Sequence, residues 1–526
     1  MKIAQSAGRG RGSQVSRGDA LAALAGVAAG GLTLGVGELV ATGVGSGSAP
    51  FLSVGDAFVD LTPEWLKSFA ISTFGANDKI VLLAGIALVL IVMSAVAGVL
   101  ELRHRLWGVV LVLLTGLVAV AAALTRPFAT PAYALPTIAG TAAGVVALRL
   151  LIRQLAPDEG GAPRETTGEA RVRRRKFLML TVAAAGLGAL AAVGGGRLGQ
   201  TAQDVRAARD RLRLPPPAAL APPLPAGVKL DVDGITAFRT PNSDFYRVDT
   251  ALALPRVLPE EWRLRLHGMV EREVELDFDQ FLRLGLVERM ITLTCVSNEV
   301  GGELAGNALW LGYPIADLLA WARPVRGADM LLSTSADGFT AGTPLDVLTD
   351  GRDALLAVGM NGEPLPIAHG FPARMVVPGL YGYVSATKWV VDMEVTRFDR
   401  ASAYWTDRGW AEQAPLKTAS RIDVPGSFAK LQAGRNPVAG VAWAQHRGIA
   451  AVDVQVDDDP WAPAQLAGEA SADTWRQWVW EWDATPGSHT LRVRATDGDG
   501  QLQTKQTVPP FPNGSSGWHS VVVDVT

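Results

Sequence analysis

The feature that most constrains this chain is where its apolar residues lie. Five stretches, roughly 20–44, 79–100, 106–125, 133–152 and 177–196, are each long and apolar enough to cross a hydrocarbon core of about 30 Å. Together they carry one acid, Glu38, and no histidine. Residues 230–526 read instead as an ordinary globular sequence. The contrast explains a charged fraction of only 19%, against about 25% in average soluble chains, and a mean hydropathy of +0.20. A membrane part joined to a soluble part is expected. A buried soluble helical bundle is the alternative for the apolar stretches, and five of this length disfavour it.

Basic residues orient the spans. Lys2, Arg9, Arg11 and Arg17 precede the first; Arg103 and Arg105 follow the second; Arg149, Arg153, Arg164, Arg171, Arg173, Arg174, Arg175 and Lys176 lie in the segment 149–176, from the end of the fourth span to the start of the fifth. With five spans all three groups fall on one side, which the positive-inside rule makes cytoplasmic. The N-terminus is then inside and everything after residue 196 outside. The first span is rich in Gly and Ala, which suits close helix packing. Without a histidine in any span, a b-type haem held by two membrane histidines is excluded, and the spans are read as an anchor. The run Arg174-Arg175-Lys176-Phe177-Leu178 is similar to a twin-arginine export signature placed internally; plain positive-inside anchoring explains the same residues without export machinery.

Other classes drop out. A net charge of −3 and a pI near 6.1 give no basic field for nucleic acid. One cysteine, Cys295, permits no intramolecular disulfide and no Cys₂ or Cys₄ zinc site. Residues 214–226, LPPPAALAPPLPA, read as a polyproline-II spacer. The expected division is a membrane domain at 1–200, a Pro-rich linker at 201–235, an α+β domain at 236–405 and an all-β sandwich at 406–526.

In the α+β domain, EWRLRLHGMV, ERMITLTCV, ARMVVPGL and TKWVVDMEVTRF read as strands, while LDFDQFLRLG and PIADLLAWA have helical spacing. Cys295 falls at the end of the second of these strands. After residue 415 alternating apolar runs broken by Gly, Asp and Pro suggest about seven strands and an Ig-like sandwich. The series Trp475, Trp478, Trp480, Trp482 puts three indoles on one strand face, as core or interface, or as a sugar-binding platform.

A lone cysteine is more often a small buried hydrophobe than a ligand. Its neighbourhood changes that reading. Leu-Thr-Cys295-Val-Ser-Asn298 is followed by Trp310-x-Gly312, then by the run from Asn361-Gly-Glu-Pro through His369-Gly to Arg374 and Gly379, and then by Lys388-Trp389. With these residues the chain resembles the sulfite oxidase family of molybdenum-cofactor enzymes, over roughly 236–526. The sandwich resembles that family's C-terminal dimerisation domain, which leaves a homodimer open.

The resemblance implies roles. Cys295 would be the single protein thiolate on molybdenum, the other sulfurs coming from the pterin, and soft sulfur suits such a metal. Asn242 and Tyr246 would seat the pterin. Asp337, His369, Arg374, Ser385 and Lys388 would hold the pterin and its phosphate; a guanidinium grips phosphate bidentately and an ammonium adds a point charge. Arg247 would meet the substrate. The chain departs from the family's pattern at two places. An Asn-His pair that follows the arginine elsewhere is Val248-Asp249 here, and a tyrosine near the metal is Phe339.

The implied activity is oxygen-atom transfer on a small oxo-anion or sulfoxide-like substrate outside the cytoplasmic membrane. No CxxCH, iron–sulfur cysteines or strand-borne dinucleotide fingerprint is present. Electrons would therefore pass through a separate partner, a cytochrome or a quinone-linked membrane protein. Two readings of other classes stand beside this one: a non-enzymatic envelope binding or assembly protein on the same scaffold, and a transporter with an external sensor domain.

Overall fold

The computed structural model describes residues 17–63, 66, 73–74, 78–126, 129–155, 167–198 and 201–526; Lys2, Arg9, Arg11 and Arg164 of the expected cytoplasmic segments lie outside them. The chain divides into two compact units, Met1–Gln200 and Thr201–Thr526.

In the first unit the described helices are α1 (Arg17–Ala41), α2 (Pro50–Leu61), α3 (Asp78–Arg103), α4 (Trp107–Leu124), α5 (Leu135–Arg153) and α6 (Thr167–Leu198). Among the described residues four apolar helical segments, Arg17–Ala41, Lys79–Arg103, Trp107–Leu124 and Pro131–Arg153, are long and apolar enough to cross a membrane by length and composition. The fifth expected span falls within α6, whose side chains at 167–174 and beyond 191 lie outside the described ones.

Helix α1 is the hub of this unit, and its small residues explain why. A Cβ on Gly26 would collide with the Ser94 carbonyl of α3, one on Gly35 with the Gly188 carbonyl of α6, and one on Gly98 of α3 with the Ala22 carbonyl. Close backbone approach of this kind is what Gly and Ala offer at a helix–helix contact. Two acids not singled out in the sequence, Asp19 and Glu101, pair with basic residues. Arg103 donates to Asp19 from Nε (2.9 Å) and Nη2 (2.6 Å). Arg149 lies 3.5 Å from the buried carboxylate of Glu101, which also accepts the Val109 amide. Helix α2 was not expected; Pro50 opens its first turn, where a missing N–H costs nothing.

The second unit begins with helix α7 (Thr201–Arg211). The segment expected to stand free as a spacer is instead laid along this unit. Val205 is buried, and Arg209 donates to the carbonyls of Pro364 and Leu365. The Ala218 amide donates to Leu286 O and the Glu288 amide to Ala219 O. An extended proline-rich backbone has unpaired carbonyls, and an adjacent strand edge satisfies them.

Two sheets form the α+β part. The first runs β3 (Val287–Thr294), β4 (Ala305–Pro314), β7 (Leu355–Met360), β8 (Glu363–Pro364), with β9 (Arg374–Val376) also on β7. The second runs β2 (Val274–Asp277), β1 (Arg263–Gly268), β10 (Val390–Thr396), β5 (Met330–Ser335), β6 (Thr340–Pro344), with β1 and β10 parallel. The helical reading of 276–285 shrinks to α8, Phe278–Leu282, opened by a capping box between Asp277 and Gln280. Helix α9 is Ile315–Ala322. One core lies around Trp262, Phe281, Leu318 and Met393. A second lies on the other face of β3, β4 and β7, where Ile291, Leu293, Trp310 and Ala357 meet Phe245 and Phe371.

Residues 419–525 form nine strands rather than seven. One sheet holds β11 (Ala419–Val424), β13 (Gly434–Trp443), β17 (Arg476–Ala484) and β16 (Gln465–Leu466). The other holds β12 (Lys430–Leu431), β19 (His519–Val525), β18 (Gly487–Asp497), β14 (Ile449–Val456) and β15 (Ala462–Pro463). They share a core of Val438, Val452, Trp478, Trp482, Leu491 and Val523. Trp475, Trp478 and Trp482 are buried, so the sugar-platform reading fails: these indoles are packing residues. Trp475 also ties the sandwich to the α+β part, since its Nε1 donates to Phe238 O and its amide to Thr292 Oγ1.

Candidate functional site

The site grows from the second core, at one end of β3. Cys295 is the residue after that strand, buried, and its amide donates to Leu304 O across the hairpin loop. Asn298 explains the Cys-x-x-Asn spacing: its Oδ1 accepts the Leu304 amide at 2.8 Å and pins the loop. Burial pushes the Cys295 thiol up; hydrogen bonds from Ser297 and the Lys388 charge oppose this. Ser297 was missed in the sequence, where the two residues between Cys and Asn carry no signal of their own.

His369 and Arg374, from one run, converge with Lys388 from the next. Gly370 permits it. Its φ is +112°, and a Cβ there would come within 2.9 Å of Arg374 Cβ and 3.2 Å of Lys388 Cα. Arg374 starts β9, opposite Ala357 of β7. It is buried and lies over the Trp310 ring, 5.1 Å from its centroid. Its described hydrogen bonds all go to carbonyls: His369 O (3.1 Å), Met375 O (3.3 Å) and Ala386 O (3.4 Å). Burial lowers its pKa to about 10. His369 is buried edge-on to Phe245. Burial, then the charges of Arg374 and Lys388, hold it down at about 4, so it is neutral at physiological pH.

Lys388 precedes Trp389, which takes a left-handed backbone at φ 51°. Such a conformation costs a non-glycine residue about 1–3 kcal/mol; burial of the indole and its bond to Ile367 O offset it. The Lys388 ammonium donates to Asp249 Oδ2 (2.8 Å) and Ala368 O (3.3 Å). Burial lowers its pKa to about 8, against the opposing pull of Asp249. The same carboxylate takes Arg247, with Nε at 2.8 Å and Nη2 at 3.3 Å.

The other expected residues divide. Asn242 bridges Met360 O, Glu363 and Asn361, fixing the 241–246 loop to the 360–363 turn. Tyr246 stacks on Phe245, and burial, with the nearby Cys295 sulfur next in size, drives its hydroxyl pKa up. Tyr381, not singled out in the sequence, also feels Cys295 and is pushed up to about 12, chiefly by burial. Ser385 is fully buried and its hydroxyl donates to Tyr381 O at 3.0 Å, so it serves its own loop. Asp337 accepts the Phe339 amide and caps the turn between β5 and β6. The Phe339 ring packs against Tyr404, centroids 5.7 Å apart.

Among the described residues no group of three or more His, Cys, Asp or Glu could hold a metal ion by itself. The arrangement fits a metal that brings most of its own ligands and an anionic tail: one sulfur, a neutral imidazole, and a buried guanidinium whose described partners are carbonyls. A buried cation without a counter-charge is costly, and a bound anion relieves that cost.

Comparison with known proteins gives the class. Residues 251–405 match the family of oxidoreductase molybdopterin-binding domains, and the group such a domain takes is the molybdenum cofactor. Among curated relatives, human mitochondrial sulfite oxidase is 29% identical over 342 residues, 55% of this chain and 62% of that protein. Nitrate reductase (NADPH) of Emericella nidulans is 31% identical over 236 residues, 40% of this chain and 26% of that protein. The solved sulfane dehydrogenase SoxCD of Paracoccus pantotrophus overlays 56% of this chain and 84% of its own, with TM-score 0.49 and 22% identity. The chain spans about 62% of the length of the human sulfite oxidase that it matches.

Proposed function

We propose that this protein is a membrane-anchored molybdenum-cofactor oxidoreductase that transfers an oxygen atom to or from a small oxo-substrate outside the cytoplasmic membrane. The observation that carries the reading is the buried Arg374, with carbonyls as its described partners, in one cluster with His369, Lys388 and the Cys295 sulfur. When bound, the cofactor supplies a metal centre able to exchange an oxygen atom and two electrons. Cys295 would give that metal its protein sulfur. Arg374 and Lys388 would hold the anionic part of the cofactor, with neutral His369 as a hydrogen-bonding group beside them. Asn242 would keep the 241–246 loop, and with it Tyr246, against the site. Arg247, exposed at the rim, would meet the substrate. Trp310 and Phe245 keep water from the guanidinium and imidazole.

The remaining features belong to the same proposal. The basic segments put the N-terminus in the cytoplasm and the 201–526 unit outside. The two-sheet sandwich serves as an Ig-like, dimerisation-type domain. Electrons pass to or from a separate cytochrome or quinone-linked protein. The test is molybdenum content of the purified full chain, followed by redox turnover with sulfite, sulfoxides and N-oxides. The reading expects about one molybdenum per chain and turnover of at least one class; metal-free, inactive protein from a host that makes the cofactor refutes it.

A further inference from the structure

The cations of this site are not equivalent. Arg374 has carbonyl partners. Arg247 and Lys388, which come from segments about 140 residues apart, share one carboxylate: Asp249 Oδ2 lies 2.8 Å from Arg247 Nε and 2.8 Å from Lys388 Nζ, and Oδ1 lies 3.3 Å from Arg247 Nη2. The Asp249 side chain is 5% exposed and that of Lys388 10%, whereas Arg247 is 42% exposed. A carboxylate removed from water between two cations is strongly held and little screened. The Asp249 carboxylate thus offsets part of the positive charge that Arg247 and Lys388 bring to the mouth of the site.

We propose that Asp249 is a specificity-determining residue, whose carboxylate, clamped between Arg247 and Lys388, pre-fills the anion seat at the rim and so favours neutral, dipolar oxo-substrates over oxyanions. This rests on the oxidoreductase reading of the site. A dianion approaching Arg247 must either break the Arg247–Asp249 pair or sit beside the carboxylate and meet its repulsion. A sulfoxide-type dipole needs only one donor, and Arg247 still has a free guanidinium edge toward solvent. Discrimination thus comes from a repulsive group built into the site as much as from an attractive one.

The test uses the full chain in detergent, with sulfate as an unreactive dianion and dimethyl sulfoxide as a neutral probe. Asp249→Asn keeps the side-chain shape and removes the charge. It should bind sulfate at least about tenfold more tightly by calorimetry, equivalent to about 1.4 kcal/mol. The KM for dimethyl sulfoxide should change less than the sulfate affinity does, since no full charge pair is involved. Asp249→Glu, which keeps the charge, should bind sulfate as weakly as the wild type. Unchanged sulfate affinity in a folded Asp249→Asn protein would overturn the proposal and leave Asp249 as a structural latch. Should that variant fail to fold, the wild type decides: sulfate binding in the micromolar rather than the millimolar range, about a thousandfold tighter than expected, overturns it. Molybdenum is measured in the same samples. Its absence would strike the oxidoreductase reading, while the sulfate titration still reports on Asp249.

Discussion

If Arg374 is there for the cofactor and not for the fold, replacing it should cost the cofactor-free protein little. The perturbation is Arg374→Met, which keeps an unbranched apolar stem of similar reach. The drop of the guanidinium pKa from the ordinary arginine value to about 10 corresponds to about 3 kcal/mol against burying the charge. On the other side stand three long hydrogen bonds to carbonyls, of 3.1 to 3.4 Å, each about 0.5–1 kcal/mol. The contact over Trp310 at 5.1 Å adds about 1 kcal/mol. The two sides nearly balance, so cofactor-free Arg374→Met should lie within about 1 kcal/mol of the wild type. A buried arginine that holds a structural carboxylate would instead cost about 3–5 kcal/mol on removal. The assay is denaturant unfolding of both cofactor-free proteins, followed by the 201–526 unit's tryptophan fluorescence, with molybdenum content of both proteins as isolated from a cofactor-producing host. The expected result is near-equal stability and loss of molybdenum from the variant alone. A loss of several kcal/mol with molybdenum retained would show that the guanidinium is a strut of the β7–β9 edge, and would refute the argument.

The other expectations are narrower. Cys295→Ser should abolish turnover while pterin, released by denaturation and read by its fluorescence, stays above about half the wild-type level, because the phosphate contacts lie elsewhere; turnover by this variant would remove the thiolate role. Lys388, depressed to about 8 chiefly by burial, loses its proton in the folded chain while the unfolded chain keeps it up to the ordinary lysine value. The unfolded state binds more protons in that window, so this residue's share of stability rises with pH from about 8 to 10, by at most about 3 kcal/mol. Lys388→Met should lack that part of the slope in cofactor-free protein, and an unchanged slope would refute it. A reporter active only outside the cytoplasm, fused after Thr526, should be active, and one placed within residues 153–166 should be silent; the reverse pattern would invert the topology.

What the sequence made legible was whatever sits in one continuous run. His369, Gly370 and Arg374 lie within six residues, and the close approach at Gly370 is a local demand that only glycine meets, so their convergence could be read from the run itself. Cys295 and Asn298 close a single hairpin loop, again a local matter. Asp249 was noticed only as a departure from a pattern. Its function as a clamp depends on Lys388, 139 residues further along, and no periodicity or spacing encodes such a pair. The proline-rich segment failed for a related reason. Composition gives it an extended backbone, but whether its carbonyls face water or a strand edge is decided by Leu286 and Glu288, far from it in sequence. For the tryptophans of β17 the core reading holds and the sugar-platform alternative falls; alternation specifies a face and not what covers it, and the opposite sheet, with Leu491 and Val523, decides between them. The resemblance carried by continuous motifs thus pointed to the groups proposed to hold the cofactor, whereas the group proposed to set the charge at the rim emerges only when two distant segments meet. Arg374 and Asp249 are complementary in this respect. One is a buried cation whose described partners are carbonyls, which an anionic cofactor would neutralise; the other is a buried anion that already offsets part of its neighbours' charge, with which an anionic substrate would have to compete. The site should therefore accept a negatively charged cofactor at its floor and resist a negatively charged substrate at its mouth.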